Sequence, residues 1–225
     1  MQLIESLTAR VLPARQAQVQ AIIVHTTGES DANGVLRFYR SPDGLQPHYV
    51  VMLDGTVHRI VSEDRVAYHA KIEPAEAALY RQGWKVWRRW WWKEGAPVQI
   101  GAPEFDGYRT WRETWIVQAD PPIESPLDLV TSDHPNARSV GIELLQPKTP
   151  GPDIFTDAQY ASLIQLVAEV GARHKIPLDR RHVLGHYDVS PMRRSSLRGG
   201  WDPGERFAWA RLLDGLRTGT ASGVG

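Results

Sequence analysis

Three short apolar runs, each carrying one titratable side chain, constrain what this chain can fold into more than any other feature. Residues 21 to 27, Ala-Ile-Ile-Val-His-Thr-Thr, are rich in β-branched residues and read as a buried strand with His25 near its C-terminal end. Residues 139 to 145, Ser-Val-Gly-Ile-Glu-Leu-Leu, form a similar run that ends before Pro147 and sets Glu143 inside a sheet. A carboxylate there is costly to bury unless it has a partner or a task. Val183-Leu184-Gly185-His186 reads as a short strand end that delivers His186 into a loop rich in Gly, Ser and Arg.

The remaining elements fit around these runs. His48 to Leu53 and Thr56 to Val61 flank Asp54-Gly55, which predicts a two-residue hairpin turn with positive φ tolerated at both positions. Thr156-x-x-Gln159 has the pattern of a capping box, and Tyr160, Leu163, Ile164, Val167 and Val170 then recur at helical spacing up to Gly171. Pro203 is expected to open a final helix through Phe207, Trp209, Leu212, Leu213 and Leu216. The expected fold is therefore α/β, a single domain over 1–218 with a mixed central β-sheet flanked by helices, followed by a disordered tail at 219–225.

Residues 71–135 break this pattern: seven of the nine Trp residues lie there, and aliphatic periodicity is poor. The segment reads as a Trp-rich insertion without a core of its own. On a helix Trp84, Trp87 and Trp91 would share one face, with Lys85, Arg88, Arg89 and Lys93 around the remainder. That face would pack over the domain, form a sugar-stacking wall along a cleft, or anchor at an anionic lipid surface.

Composition narrows the chemistry. With 26 Lys+Arg against 26 Asp+Glu, the chain lacks the basic excess of a nucleic-acid binder, so no nucleic acid is expected as a partner. Zero Cys excludes a disulfide scaffold, a Cys-ligated zinc site, an iron–sulfur cluster and thiol catalysis, so any metal must sit on His, Asp or Glu. No stretch approaches the ~18 uninterrupted apolar residues of a transmembrane segment. The start of the chain shows no basic region leading into an apolar run, so as written it is expected to be cytoplasmic. His25 and His186, fixed by strand ends, are candidates for one metal, although each imidazole could instead be a buried group satisfied by backbone.

The ordered series IIVHTT, HYVVMLDGTVHRIVSEDRVAYHA, Asn136 with SVGIEL, VLGHYDVSP and WDPGERFAWARLL resembles the zinc-dependent N-acetylmuramoyl-L-alanine amidases of the amidase-2 and peptidoglycan recognition protein-like family. The motifs span residues 21 to 70 and 136 to 215, a little over half of the chain. The resemblance implies Zn2+ held by His25, His186 and Asp202 with a fourth position left for water, and Glu143 as general base. Asp202 followed by Pro203 and Gly204 also reads as a plain helix N-cap, with Asp188 and His182 as local substitutes for a third ligand. Family members place a Lys two residues before that Asp, where this chain has Gly200; Arg193, Arg194 or Arg198 could supply the oxyanion's cation, with Arg198 ranked first.

His69, Trp84 and Asn136 are expected on the substrate side, and Asp188 is expected to orient His186 or cap its loop. The implied reaction is hydrolysis of the amide between the lactyl group of N-acetylmuramic acid and L-Ala of the stem peptide, on peptidoglycan or soluble muropeptide. The alternative is a module that binds the same ligand without cutting it. The sequence does not set the oligomeric state, with a monomer expected, and a phage lysin or secreted effector released without a signal is the alternative to a cytoplasmic role.

Overall fold

The computed structural model describes residues 1–87, 90–93, 96–98, 129, 134–148, 154–190, 202–204 and 206–221. In chain order the elements are β1 (Leu3–Glu5), β2 (Ala21–Thr26), α1 (Ala32–Arg40), β3 (Tyr49–Val51), β4 (Val57–Arg59), α2 (Pro74–Arg81), β5 (Lys85–Trp87), β6 (Trp90–Lys93), β7 (Ala96–Val98), β8 (Ser139–Leu144), α3 (Asp157–His174), β9 (Val183–Gly185), α4 (His186–Val189) and α5 (Trp209–Ala221). A 3-10 turn, Pro135–Arg138, leads into β8. Among the described residues no helix is long and apolar enough to cross a membrane.

The three apolar runs become neighbours. The six-stranded sheet has the order β1-β4-β3-β8-β2-β9, so β2 lies between β8 and β9. Every adjacent pair is parallel except β3 with β4, which makes the sheet mixed, as expected. Strands buried on both faces read as near-continuous apolar sequence, which is why β2 and β8 stand out.

Side chains alternate across a strand, and here the alternation separates packing from chemistry. Ile22 and Val24 of β2, Val140, Ile142 and Leu144 of β8, and Val183 of β9 share one core with Leu163, Val167 and Val170 of α3 and Leu212 and Leu216 of α5. Each such side chain contributes roughly 1.5–3 kcal/mol by leaving water. Ala21, Ile23 and His25 of β2, with Ser139, Gly141 and Glu143 of β8, fall on the opposite face. The register pairs His25 directly with Glu143. Over part of that face a second cluster joins Val50 and Met52 to Val35 and Tyr39 of α1.

Four local expectations change. The hairpin turn runs over Met52–Gly55, closed by the Gly55 N–H donating to the Met52 carbonyl at 2.9 Å. Only Gly55 has positive φ, at 84°. Asp54 instead accepts from the Thr56 N–H at 2.9 Å, so the connection is a turn with a glycine bulge and not a two-residue primed turn. The capping box of α3 forms as read, but the helix passes Gly171 and ends at His174, with Lys175 taking the left-handed conformation. Gly171 is small for packing: a Cβ there would lie 2.4 Å from Leu178 Cδ2.

The last helix starts at Trp209 rather than Pro203 and continues to Ala221, three residues into the expected tail; residues 222–225 lie outside the described residues. The helix expected through Trp84, Trp87 and Trp91 does not form among the described residues; 88–89, 94–95, 99–128 and 130–133 lie outside them. β5, β6 and β7 form a separate three-stranded antiparallel sheet, pairing Trp87 with Trp90 and Val86 with Trp91. Consecutive aromatic residues suit a pleated backbone better than a helix, where their χ1 freedom is lost against the preceding turn. Trp84, just before β5, is buried at 5% exposure.

Candidate metal centre

Strand order, not sequence proximity, assembles the centre. β2 ends in His25, and β9 pairs Gly185 with Val24, so His186 emerges beside it. The 202–204 loop then lies across both strand ends. His25, His186 and Asp202 are all buried, and their ligand atoms lie within 4.8 Å of one another, the one such group among the described residues.

Asp202 Oδ2 sits 3.0 Å from His25 Nδ1 and 3.1 Å from His186 Nδ1, while Oδ1 accepts from the Thr26 N–H at 2.7 Å. Asp202 does not cap a helix, since α5 begins at Trp209. Burial alone would raise its pKa, yet the pull of His25 and hydrogen bonding by both imidazoles outweigh burial and hold the carboxyl well below the usual carboxylate range.

Each imidazole also has its outer nitrogen engaged. His186 Nε2 lies 2.9 Å from the Lys71 carbonyl oxygen, and His25 Nε2 lies 3.0 Å from His69 Nδ1. The first contact is decisive, because a carbonyl can only accept. His186 must carry a proton at Nε2, so in the neutral ring the Nδ1 lone pair faces a carboxylate oxygen. A cation between these atoms, or a second proton on the ring, reconciles them. Two imidazole nitrogens and a carboxylate with outer hydrogen bonds fit zinc well.

Glu143 lies on the adjacent strand, half-buried, in register with His25. It lines a cleft of about 490 Å³ together with Asp202 and Thr26. Phe38 and Leu45, exposed at 50% and 43%, give the cleft an apolar wall.

The other sequence candidates sort differently. His69 is buried, with Nε2 3.2 Å from Ser139 Oγ. Burial first, then the charges of the neighbouring histidines and Arg15, lower its pKa well below 6.5 and keep it neutral. Asn136 does not line this cleft; its Oδ1 accepts from the backbone N–H groups of His69 and Ala70 at 3.1 and 2.8 Å. Trp84 is likewise not among the residues lining this cleft. His182 pairs with Asp179 at 2.7 Å. Asp188 accepts from Arg180 at 2.6 Å and from the Gly185 N–H at 2.8 Å, capping the loop instead of orienting His186. Arg193, Arg194 and Arg198 lie outside the described residues.

Two partners escaped the sequence reading. Lys71 acts through a carbonyl, which every residue has. Gly141 carried a readable signal, a glycine inside an apolar strand, which marks close approach: a Cβ there would lie 2.3 Å from His69 Cγ.

The model of the family described as Amidase_2, N-acetylmuramoyl-L-alanine amidase, matches residues 15–205. No curated protein matches the sequence. Among solved structures, a selenomethionine derivative of AmpD is similar at 17% identity and TM-score 0.55, covering 96% of this chain and 93% of that one. A structure of PlyL is similar at 14% identity and TM-score 0.53, covering 96% of this chain and 97% of that one. These likenesses establish the fold.

Proposed function

This chain belongs to the amidase-2 family and is an N-acetylmuramoyl-L-alanine amidase, and from that premise we propose that zinc held by His25, His186 and Asp202 serves its hydrolysis of the amide joining N-acetylmuramic acid to L-Ala of the stem peptide. The observation that carries the assignment is the facing pair of acceptors, His186 Nδ1 and Asp202 Oδ2 at 3.1 Å, with Asp202 lining the cleft that Glu143 also lines. When bound, the metal supplies Lewis acidity, lowering the pKa of water to about 7 and polarising the scissile carbonyl.

The chain's own residues do the rest. Glu143, beside His25 and lining the same cleft, takes the proton of the attacking water and returns it to the departing amine of L-Ala. Burial of the three ligands keeps bulk water from competing for them. Phe38 and Leu45 give the sugar and peptide an apolar surface to lie against. For the cation opposite the oxyanion we assign Arg198, because no Lys occurs between His186 and Asp202.

Mass spectrometry of purified muropeptides after incubation tests the reading. Release of intact stem peptide is expected from the zinc-loaded protein, with loss of at least ~100-fold in Glu143→Ala, the usual weight of a general base. Metal-stripped protein should be inactive and recover on zinc addition. Tight muropeptide binding with no cleavage by the zinc-loaded protein would replace the hydrolase with a binding module.

A further inference from the structure

Both outer nitrogens of the histidine ligands are met from one short piece of chain. His25 Nε2 contacts the His69 side chain, and His186 Nε2 contacts the carbonyl of Lys71, two residues on. That tripeptide is itself hung on one carboxamide, since Asn136 Oδ1 accepts the N–H groups of His69 and Ala70. Building on the zinc reading above, we propose that His69–Lys71 is a strap that sets the tautomer and direction of both metal-ligating imidazoles, and that Asn136 is the positioning residue that holds it.

The proton inventory along the strap runs one way. Ser139 Oγ donates to the Pro135 carbonyl at 2.9 Å, so its oxygen is open to accept from His69 Nε2–H at 3.2 Å. With its proton on Nε2, neutral His69 presents the Nδ1 lone pair to His25, which must then carry its own proton on Nε2 and leave Nδ1 for a metal. The Lys71 carbonyl imposes the same choice on His186. Both ligand nitrogens are thereby turned toward Asp202.

The anchor is rigid. The 3-10 turn bearing Asn136 is held by Arg15, whose guanidinium donates to the carbonyls of Asn136, Ala137 and Ser139 at 3.3, 2.8 and 3.1 Å. Gly141 leaves the space in which the His69 ring lies against β8. His69 and Asn136 thus act through the ligands, without touching substrate.

Zinc affinity, measured by competition with a chromophoric chelator, and the visible spectrum of the Co2+-substituted protein test the strap. Asn136→Ala and His69→Phe are each expected to weaken zinc binding ~10–100-fold and to alter the Co2+ bands. Asn136→Asp keeps an acceptor for both N–H groups, and His69→Asn keeps an oxygen near the Nδ1 position; each should restore affinity to within ~3-fold of the parent. A cooperative thermal transition of the metal-free protein identifies variants that fold, and either pair alone decides the matter. Folded variants with parental affinity and spectrum overturn the strap, as does Asn136→Asp behaving like Asn136→Ala. Failure of the parent protein itself to bind zinc or Co2+ removes the metal centre, and the strap with it, which separates the two failures.

Discussion

Gly141 carries a burden out of proportion to its size. It sits mid-strand in β8, and the His69 ring occupies the volume its side chain would fill. Gly141→Ala is expected to destabilise the fold by about 1–3 kcal/mol through overpacking and to weaken zinc binding, although no ligand changes. Denaturant unfolding and metal titration of the same variant check both, and unchanged affinity would show that His69 can move without cost to the centre. At this scale the sequence singled out His25, His186 and Asp202, which the structure brings together, and Glu143, which it sets beside His25, because each is a chemically distinctive residue in an apolar or turn setting. It gave no sign of the contacts that His69 and Asn136 make, since their partners are atoms of remote segments. His69 Nε2 meets Ser139, 70 positions away, and Asn136 Oδ1 meets backbone 66 and 67 positions away. Spacing carries no trace of such contacts.

Among elements, α3 was the most legible, because its capping box is local chemistry: Thr156 accepts from the Gln159 N–H at 3.1 Å and the Gln159 side chain accepts in return. The far end of α3 was not legible, since Arg173 and His174 are fastened by Glu63, which also accepts from Tyr49. Burial would raise the Glu63 carboxyl, but hydrogen bonds from Arg173 and Tyr49 and the Arg173 charge hold it down to about 2 from 4.5. A carboxyl depressed on folding stabilises above its unfolded pKa and loses that contribution as pH falls toward its folded one. Glu63→Gln should therefore cost about 1–3 kcal/mol at pH 6, and the gap to the parent should close between pH 4.5 and 2. Denaturation midpoints across that range provide the check; a gap independent of pH would show that shape, not charge, fastens the helix. The Trp stretch misled for the opposite reason. Its i, i+3, i+7 spacing fits a helix, but β5–β7 pair along the chain, and pairing overrides period.

For the whole molecule, the mixed sheet and its flanking helices could be anticipated from the apolar runs, while the strand order could not. That order brings His25 to Asp202 across 177 positions. An ion bridging them binds only the folded chain, so it stabilises by mass action. Zinc at ~100 times its dissociation constant should add about 2.7 kcal/mol, a rise in Tm of about 5–10 °C for a chain of this length. A chelator should reverse it, and calorimetry with Asp202→Ala should show no zinc-dependent rise. An equal rise in that variant would place the ion elsewhere.

The hydrogen bonds from His69 and Ala70 to Asn136 also join two points 67 and 66 positions apart in sequence, so the stretch from 71 to 135 begins and ends at one clasp. Between those ends β5 lies against α4, and Trp84 and Leu129 are buried. Shortening the span by half would change its closure cost by only about 0.6 kcal/mol, so the clasp itself tolerates a change of length there as long as Lys71 and Asn136 are kept.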